Sequence, residues 1–268
     1  MDAAQLSLNS ATVPSLDLDG LIEIACANSI PGVGLWRDIY AAEGVVRAAQ
    51  RIAASGLQVT SVCRGGMFPH RTESERVEIR DDNRRAVDEA AELGADCLVV
   101  VCGAAPGRDL GRAREQVADG LGALSEHAAA SGVMLAVEPM HPMMIADRSV
   151  VTSLGEALDI VETISHPNMG IALDSYHVFW DIRYPELLSR STARIHSVQI
   201  SDWVVPIHNQ LRGRGMPGQG SIDLRTFLEL SRAAGYRGLV EVEVLSDAWA
   251  SVPAQAAVNA MIDGIAGL

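Results

Sequence analysis

The chain has 268 residues, which is enough for one large α/β domain with a substantial core. Its formal net charge of −13 argues against a nucleic-acid partner, because proteins that bind polyanions use a basic surface. All 21 basic residues are arginines, and the absence of lysine excludes Schiff-base aldolases, pyridoxal phosphate enzymes and Walker-type nucleotide-binding proteins.

Short apolar runs alternate with amphipathic stretches along the whole chain. The apolar runs predict strands at 5–12, 33–36, 57–63, 97–102, 133–141, 169–174, 194–201 and 238–245. The amphipathic stretches predict helices at 18–28, 44–55, 73–93, 110–130, 154–164, 185–188, 224–234 and 253–265. We expect the third strand to stop at Arg64-Gly65-Gly66.

Eight strand–helix units in a chain of this length predict a (β/α)8 TIM barrel of the α/β class, as a single domain over residues 1–268. A doubly wound open sheet is the alternative, although no GxGxxG motif follows the first strand. The connections 66–72 and 203–221 are longer than usual. Because long βα loops lie on the carboxyl-terminal face of such barrels, both are candidate lids.

The cysteines and the amino terminus indicate the compartment. Cys26, Cys63, Cys97 and Cys102 show no CxxC spacing, and their apolar neighbours predict buried thiols in a reducing environment. Residues 1–5 lack the basic region and the long apolar core of a signal peptide. No apolar run reaches the ~18 residues of a membrane span. We therefore expect a cytoplasmic protein with no membrane partner.

Carboxylates stand at or near the carboxyl ends of three predicted strands. Strand five runs into Glu138 and then Pro139, strand six ends at Asp174, and strand eight carries Glu241 and Glu243. Strand alternation turns all four carboxylates toward the barrel interior, where an uncompensated charge is costly. Glu241 is one layer deeper, and we expect it to pair with another polar group. The others predict a site for a hard or borderline divalent cation.

Strand seven offers two candidate ligands, His196 and Gln199, which lie on opposite faces of the strand because they are three residues apart. Gln199 is nearer the carboxyl end and shares its face with the small residues Ser197 and Ser201. His196 shares its face with apolar, helix-facing residues. Histidine is the commoner metal ligand in general, yet the pattern favours Gln199 and leaves His196 as the alternative.

A set of motifs in the chain matches a known enzyme family. They are Glu138-Pro139, Leu173-Asp174-x-x-His177, Val198-Gln199-Ile200-Ser201-Asp202, Arg214-Gly215-Met216-Pro217-Gly218-Gln219-Gly220 and Gly235-Tyr236-Arg237-Gly238 followed by Glu243. On these residues the chain resembles the xylose-isomerase-like barrel superfamily, and within it the sugar phosphate isomerase/epimerase group. That group includes ketose 3-epimerases, hydroxypyruvate isomerase, inosose dehydratase and isomerase, and metal-dependent apurinic endonucleases. The endonucleases use additional histidines, which this chain lacks, so the resemblance argues against DNA cleavage.

The resemblance implies a metal site made by Glu138, Asp174, Gln199 and Glu243. Hydroxypyruvate isomerase has glutamine at the position of Gln199, whereas ketose 3-epimerases have histidine. The resemblance also implies that Glu138 and Glu243 transfer protons and that His177 and Arg214 contact substrate oxygens. Oxygen ligands suit Mn²⁺ or Mg²⁺ best, with Zn²⁺, Co²⁺ and Fe²⁺ as alternatives.

Four residues are candidate substrate contacts, each with a structural alternative. Arg214 lies in a Gly-rich turn from which it could reach a bound oxyanion, or it could be a solvated loop arginine. Arg64, before two glycines, is a similar case. Trp36 could stack on a sugar face or belong to the top of the core. His141 could line the pocket or cap the loop after Pro139.

The expected activity is that of a divalent-metal-dependent keto-sugar isomerase or epimerase. A carboxylate removes the proton beside a carbonyl and a carboxylate returns it, through a metal-stabilised enediolate, with His177 as a further catalytic residue. A lyase or dehydratase acting by β-elimination on a keto-sugar, inosose or oxidised glycoside fits the same residues. A sugar-binding barrel without catalysis is the third reading. The expected partner is a small carbohydrate, and a homo-oligomer stays open.

Overall fold

In the computed structural model, which describes residues 1–190 and 194–268, eight parallel strands close into a barrel. The described residues form ten strands, of which all but two short ones belong to the barrel. In chain order they are β1 Leu6–Asn9, β2 Gly32–Trp36, β3 Gln58–Gly66, β4 Cys97–Val101, β5 Met134–Glu138, β6 Met169–Asp174, β7 Arg194–Ile200, β8 Asp202–Trp203, β9 Arg214–Gly215 and β10 Val240–Val242. Around the barrel the order is β1-β10-β7-β6-β5-β4-β3-β2. The short β8 and β9 form an antiparallel pair in the connection from β7 to β10. The predicted TIM barrel is confirmed.

A helix follows every barrel strand in the chain, and β6 and β10 are each followed by two. The helices are α1 Leu18–Ala27, α2 Val45–Ser55, α3 Glu73–Glu92, α4 Leu110–Ala130, α5 Leu154–Ile164, α6 Ser175–Val178, α7 Tyr184–Arg190, α8 Leu224–Ala233, α9 Asp247–Ala250 and α10 Ala254–Ala266. α3 begins at a capping box in which Thr72 and Glu75 each accept the other's backbone N–H. No helix among the described residues is long and apolar enough to cross a membrane.

The core has two parts. A large apolar cluster fills the space between the barrel and the helices, where residues such as Leu98, Leu135 and Leu173 are fully buried. Inside the barrel the apolar cluster is much smaller and consists of small side chains, namely Cys97, Val99, Ala136 and Ala172. Because these side chains fill only the lower layers, the upper interior is left to polar groups.

The predicted end of the third strand was wrong. β3 continues through Arg64, Gly65 and Gly66 because the two glycines pair in register with Val100 and Val101 of β4, and Asn83 of α3 bonds to Gly66 as well. The Gly66 N–H donates to Asn83 Oδ1 at 2.5 Å, and Asn83 Nδ2 donates to the Gly66 carbonyl at 2.8 Å. Arg64 is thereby held at the barrel mouth within a strand instead of in a loop.

Three other predicted strands are shorter than expected by more than two residues. β5 ends at Glu138, because Pro139 cannot donate a ladder hydrogen bond. β1 stops at Asn9, where the side chain accepts the Ala11 N–H at 2.8 Å and starts a 3₁₀ turn, Ser10–Thr12. β10 ends at Val242, so Glu243 lies just beyond the last strand.

The prediction that all four thiols are buried was wrong for one of them. Cys63, Cys97 and Cys102 are buried, whereas Cys26 is exposed. It lies on the outer side of α1, whose buried side is formed by Leu18, Leu21 and Ala25. The apolar neighbours of Cys26 in the sequence therefore belong to a different face of the helix.

Candidate active site

The predicted polar residues meet at the carboxyl ends of the barrel strands. Asp174 of β6 is paired in register with Gln199 of β7, and Gln199 with Glu241 of β10. Glu138, at the end of β5, and Glu243, after β10, complete the group. All five side chains are buried. Burial of so many polar groups in one place identifies this end of the barrel as the functional end.

Glu138, Asp174 and His177 form the closest cluster of this group, with one ligand atom of each lying within 4.8 Å of the others. Asp174 caps α6, and its Oδ1 accepts the Tyr176 N–H at 2.9 Å. This cap turns the first helical turn over the barrel, so that His177 lies above the carboxylates. Three such groups in mutual contact could hold a divalent ion.

Glu243 joins the cluster through Arg214. The Nη1 of Arg214 donates to Asp174 Oδ2 at 2.8 Å and to Glu243 Oε2 at 3.2 Å. Glu243 Oε1 accepts Trp36 Nε1 at 3.0 Å and Asn9 Nδ2 at 3.3 Å. Trp36 is therefore a hydrogen-bond donor to a site carboxylate, and Arg214 is a buried residue of the site instead of a solvated loop arginine.

Glu241 fixes the orientation of Gln199. Its carboxylate accepts hydrogen bonds from Asn9 Nδ2 at 2.6 Å, Thr60 Oγ1 at 2.7 Å, Ser61 Oγ at 2.8 Å and Gln199 Nε2 at 2.9 Å. Because a carboxylate can only accept, the amide nitrogen of Gln199 must face Glu241 and its Oε1 must face away. That Oε1 is buried and has no hydrogen-bond partner among the described residues. An oxygen buried in this way is suited to a metal ion.

The other candidate of strand seven lies away from this group. The register of β6 and β7 shifts between Ile171 and Ala172, below the site. His196 lies at this irregularity, and its ring would collide with any side chain at Gly170 in the lower part of β6. The structure thus brings Gln199, and not His196, beside Asp174.

Burial and like charges raise the pKa values of the acids in the site. Desolvation raises the pKa of Glu138 well above its usual range, and the charges of Glu243 and Asp174 raise it further. Desolvation raises the pKa of Glu243 to about 7, although Arg214 opposes the shift. The pKa of Asp174 is raised for the same first reason. The site therefore lacks positive charge, which a divalent ion would supply.

The ring of His177 lies between two N–H donors. Burial, followed by the charge of Arg214, lowers its pKa well below the ordinary value. The His141 N–H donates to His177 Nδ1 at 3.2 Å, and Arg214 Nη2, which can only donate, lies 3.2 Å from Nε2. A neutral imidazole has one accepting nitrogen, so the position of the ring proton decides which of the two contacts is a hydrogen bond. The Nε2 edge faces Asp174 and Glu138.

The residues present fit a divalent ion. Glu138, Asp174 and Glu243 offer carboxylate oxygens, and Gln199 offers the unpartnered amide oxygen. Glu138 is buried, with only 4% of its surface exposed, yet no described side chain donates a hydrogen bond to it. An all-oxygen donor set suits hard cations such as Mn²⁺ and Mg²⁺.

Of the other candidate substrate contacts, Trp36 and Arg64 line a cavity above the acids, whereas His141 does not. The lining of this cavity also includes Arg148 and Arg214. His141 packs on Trp203 with ring centroids 4.9 Å apart, and its Nδ1 accepts the Met143 N–H at 3.2 Å. The capping alternative for His141 is the one that the structure shows.

Sequence reasoning missed three residues of this region. Asn9 bridges Glu241 and Glu243, and it could have been found as a polar residue that ends a buried strand. Tyr176 lies under Arg214, whose guanidinium carbon is 4.7 Å from the ring centroid. Arg148 lies in a turn after β5, where no local pattern signals a role.

The fold and the site together define a (β/α)8 barrel with a buried acidic cluster, suited to a divalent ion, at the carboxyl ends of its strands. The chain belongs to the xylose isomerase-like TIM barrel family, whose profile matches residues 21–265. A crystal structure of a Sinorhizobium meliloti 1021 protein is 43% identical, has a TM-score of 0.96 and covers 99% of this chain and 98% of its own. The IOLI protein, solved with a zinc atom, has a TM-score of 0.86 at 22% identity and covers 98% of this chain and 97% of its own.

Two curated relatives carry named activities. A 3-dehydroshikimate dehydratase of Pseudomonas aeruginosa is 33% identical over 189 residues, which are 69% of this chain and 28% of that protein. A ketose 3-epimerase of Arthrobacter globiformis is 29% identical over 168 residues, which are 60% of this chain and 54% of that protein. The matches thus span about a quarter and about half of these relatives.

Proposed function

We propose that this protein is a divalent-metal-dependent keto-sugar isomerase or epimerase. The observation that carries the proposal is the convergence of Glu138, Asp174 and Glu243 with the unpartnered Oε1 of Gln199. The relative named ketose 3-epimerase supports it. We further propose Mn²⁺ or Mg²⁺ as the ion, a small carbohydrate as the substrate and the cytoplasm as the compartment.

The four oxygen-bearing residues would hold the ion, in the positions that the resemblance implies. When bound, the ion supplies Lewis-acid polarisation of the substrate carbonyl, which acidifies the neighbouring C–H. Asn9 and Trp36 hold Glu243 in place, and Glu241 holds Gln199. The cage is therefore supported on several sides by hydrogen bonds from other strands.

Glu138 and Glu243 are the proposed proton carriers. They come from β5 and from the end of β10, which are separated around the barrel by β6 and β7. A substrate between them presents opposite faces to the two carboxylates. One can remove the proton beside the carbonyl while the other returns it, either to the other face or to the next carbon. Arg214 and His177 lie side by side next to Asp174, where either could contact a substrate oxygen.

The second candidate function is a dehydratase acting on a cyclic or open-chain keto compound. The relative named 3-dehydroshikimate dehydratase favours it. The first step is the same proton removal, and loss of a β-hydroxyl as water then replaces the return of the proton. The carboxyl that has taken the substrate proton can pass it to the leaving hydroxyl, so that water leaves and the carboxylate is regenerated.

The test is a panel of ketoses and inososes in D₂O, with the chelated protein reloaded with Mn²⁺. We expect deuterium at a carbon next to the carbonyl and an isomeric product, and both should vanish with chelator. Loss of water from the product without any isomer would establish the dehydratase instead. A protein that binds Mn²⁺ but catalyses neither reaction on any member of the panel would contradict both.

A further inference from the structure

Three arginines in the lining of the cavity have unused hydrogen-bond donors. Arg64 forms no hydrogen bond or ion pair with any described residue, and it is only partly exposed. The Nε of Arg148 and the Nε of Arg214 are both buried and have no hydrogen-bond partner in the described parts of the chain. Arg148 Nε lies 3.1 Å from Asp147 Oδ2, but without hydrogen-bond geometry, and the Asp147 side chain is 72% exposed.

Guanidinium donors left in this state favour a ligand. A buried charged donor without a partner costs more free energy than a neutral one, and an acceptor that enters the cavity recovers that cost. The planar fork of arginine matches a carboxylate or a phosphate with two parallel hydrogen bonds. A hydroxyl group has no charge and offers one oxygen instead of two coplanar ones, so an anionic group is the better partner.

The positions of Arg64 and Arg148 show where the anionic group would lie. Arg64 belongs to β3, and the Arg148 carbonyl accepts the Gly103 N–H at 2.9 Å just beyond β4. In the closed barrel β3 lies four strands from β7, which carries Gln199, and β4 lies four strands from β10, which precedes Glu243. The two arginines are therefore across the opening from these proposed ligands.

The fixed charges around the cavity indicate the charge of the ligand. They belong to Arg64, Arg148, Arg214, Glu138, Asp174 and Glu243, with Glu241 one layer below and Asp147 beside Arg148. Three guanidinium groups and the two charges of a divalent ion are balanced by these five carboxylates. A bound monoanion departs from this balance less than a phosphate dianion does.

We propose that the substrate is a keto-sugar acid whose carboxylate is bound by Arg64 and Arg148, while its carbonyl end lies at the acidic cluster. This rests on the proposed function and names its substrate class. Arg148 thereby becomes a residue that determines specificity.

The experiment compares three ketoses that differ only at C6: D-fructose, D-fructuronate and D-fructose 6-phosphate. Their binding to the Mn²⁺-loaded protein is measured by calorimetry. We expect D-fructuronate to bind about 100-fold more tightly than the other two, because two charge-assisted pairs are each worth about a factor of ten. Arg64→Met and Arg148→Met should each lower the ratio of D-fructuronate affinity to D-fructose affinity by about tenfold.

The matched control is Arg85→Met, which removes one positive charge from the surface of α3, where Arg85 pairs with Asp82. It should retain the preference. Equal binding of D-fructose and D-fructuronate would overturn the proposal and leave the proposed function standing, and this comparison needs no variant to fold. If D-fructose 6-phosphate binds most tightly, the anionic group of the substrate is not a carboxylate. If the preference for D-fructuronate persists in both variants, Arg64 and Arg148 do not bind its carboxylate.

Failure of the proposed function has a separate readout. If Mn²⁺ itself does not bind, the same three sugars are compared on the metal-free protein, where both arginines are present. A preference for D-fructuronate there, lost in the variants, would support the carboxylate site even though the metal site had failed.

Discussion

Two glutamates in the same barrel, Glu241 and Glu138, are equally well buried but differ in their partners. Glu241 accepts hydrogen bonds from Asn9, Thr60, Ser61 and Gln199. Thr60 and Ser61 are adjacent in the sequence, and both reach Glu241 because β3 has a register irregularity against β2 at this point. Glu138 receives no hydrogen bond from a side chain that the structure describes.

The difference separates a supporting carboxylate from a reactive one. A buried carboxylate with a full set of donors is stable as an anion and rigidifies its neighbours. A buried carboxylate without donors destabilises the fold unless a ligand completes it, and such groups are retained where function requires them. We therefore assign Glu241 to positioning and Glu138, with Glu243, to the chemistry.

The largest expected effect is on turnover. Glu243→Gln keeps the shape of the side chain but removes the base, so kcat should fall by about 10²–10⁴-fold while far-UV circular dichroism stays native. Turnover is measured on whichever ketose of the panel reacts. Glu23→Gln, on the exposed side of α1, is the matched control. Activity within threefold of the parent protein would show that Glu243 is not a proton carrier.

The next effect tests the comparison directly by urea unfolding of the metal-free protein. Glu241→Gln places an amide N–H₂ among donors, so the free energy of unfolding should fall by about 2–4 kcal/mol. Glu138→Gln breaks no side-chain hydrogen bond and relieves an unpaired charge, so it should be neutral or stabilising. Glu241→Gln should also weaken Mn²⁺ binding by calorimetry, because Gln199 loses its orientation. Equal losses of unfolding free energy in the two variants would show that Glu241 and Glu138 do not differ in their contribution to stability.

The smallest effect sets the background for these measurements. Cys26 is exposed on α1, so Cys26→Ser should change the free energy of unfolding by less than about 0.5 kcal/mol. Cys97 is fully buried inside the barrel, and Cys97→Ser should cost about 1 kcal/mol because it buries a more polar group, whose hydroxyl has the Thr60 carbonyl as an acceptor. A large loss from Cys26→Ser would mean that α1 packs against something outside the described fold.

The fold could be predicted from the sequence because each unit carries its own signal. β6, for example, was predicted with its observed bounds, Met169–Asp174, since six buried residues run without interruption into an N-cap. The end of β3 could not be predicted, because glycines ordinarily weaken a strand and the groups that hold this end, in β4 and at Asn83 of α3, lie elsewhere in the chain. Strand boundaries of this kind depend on tertiary partners.

The candidate site was predictable in its acids and in Gln199, but not in its arginines. Period-two alternation was enough to turn Glu138, Asp174 and Glu243 inward and to expect a polar partner for Glu241. The depth of Arg214 was not predictable, because a Gly-rich segment looks solvated until β9 pairs with β8 and lies over the barrel. Arg148 has no periodic context at all, and only the closed barrel shows that it faces the cavity.

The charge of Arg214 bears on whether the barrel can fold before it binds a metal ion. Arginine keeps its charge at every physiological pH, and here it bonds to Asp174 and Glu243 at once. The newly synthesised chain thus brings its own counter-ion to the place where acidic groups would otherwise repel one another. Folding need not wait for an ion from the surroundings, and the protein can acquire or exchange its metal after the barrel has closed.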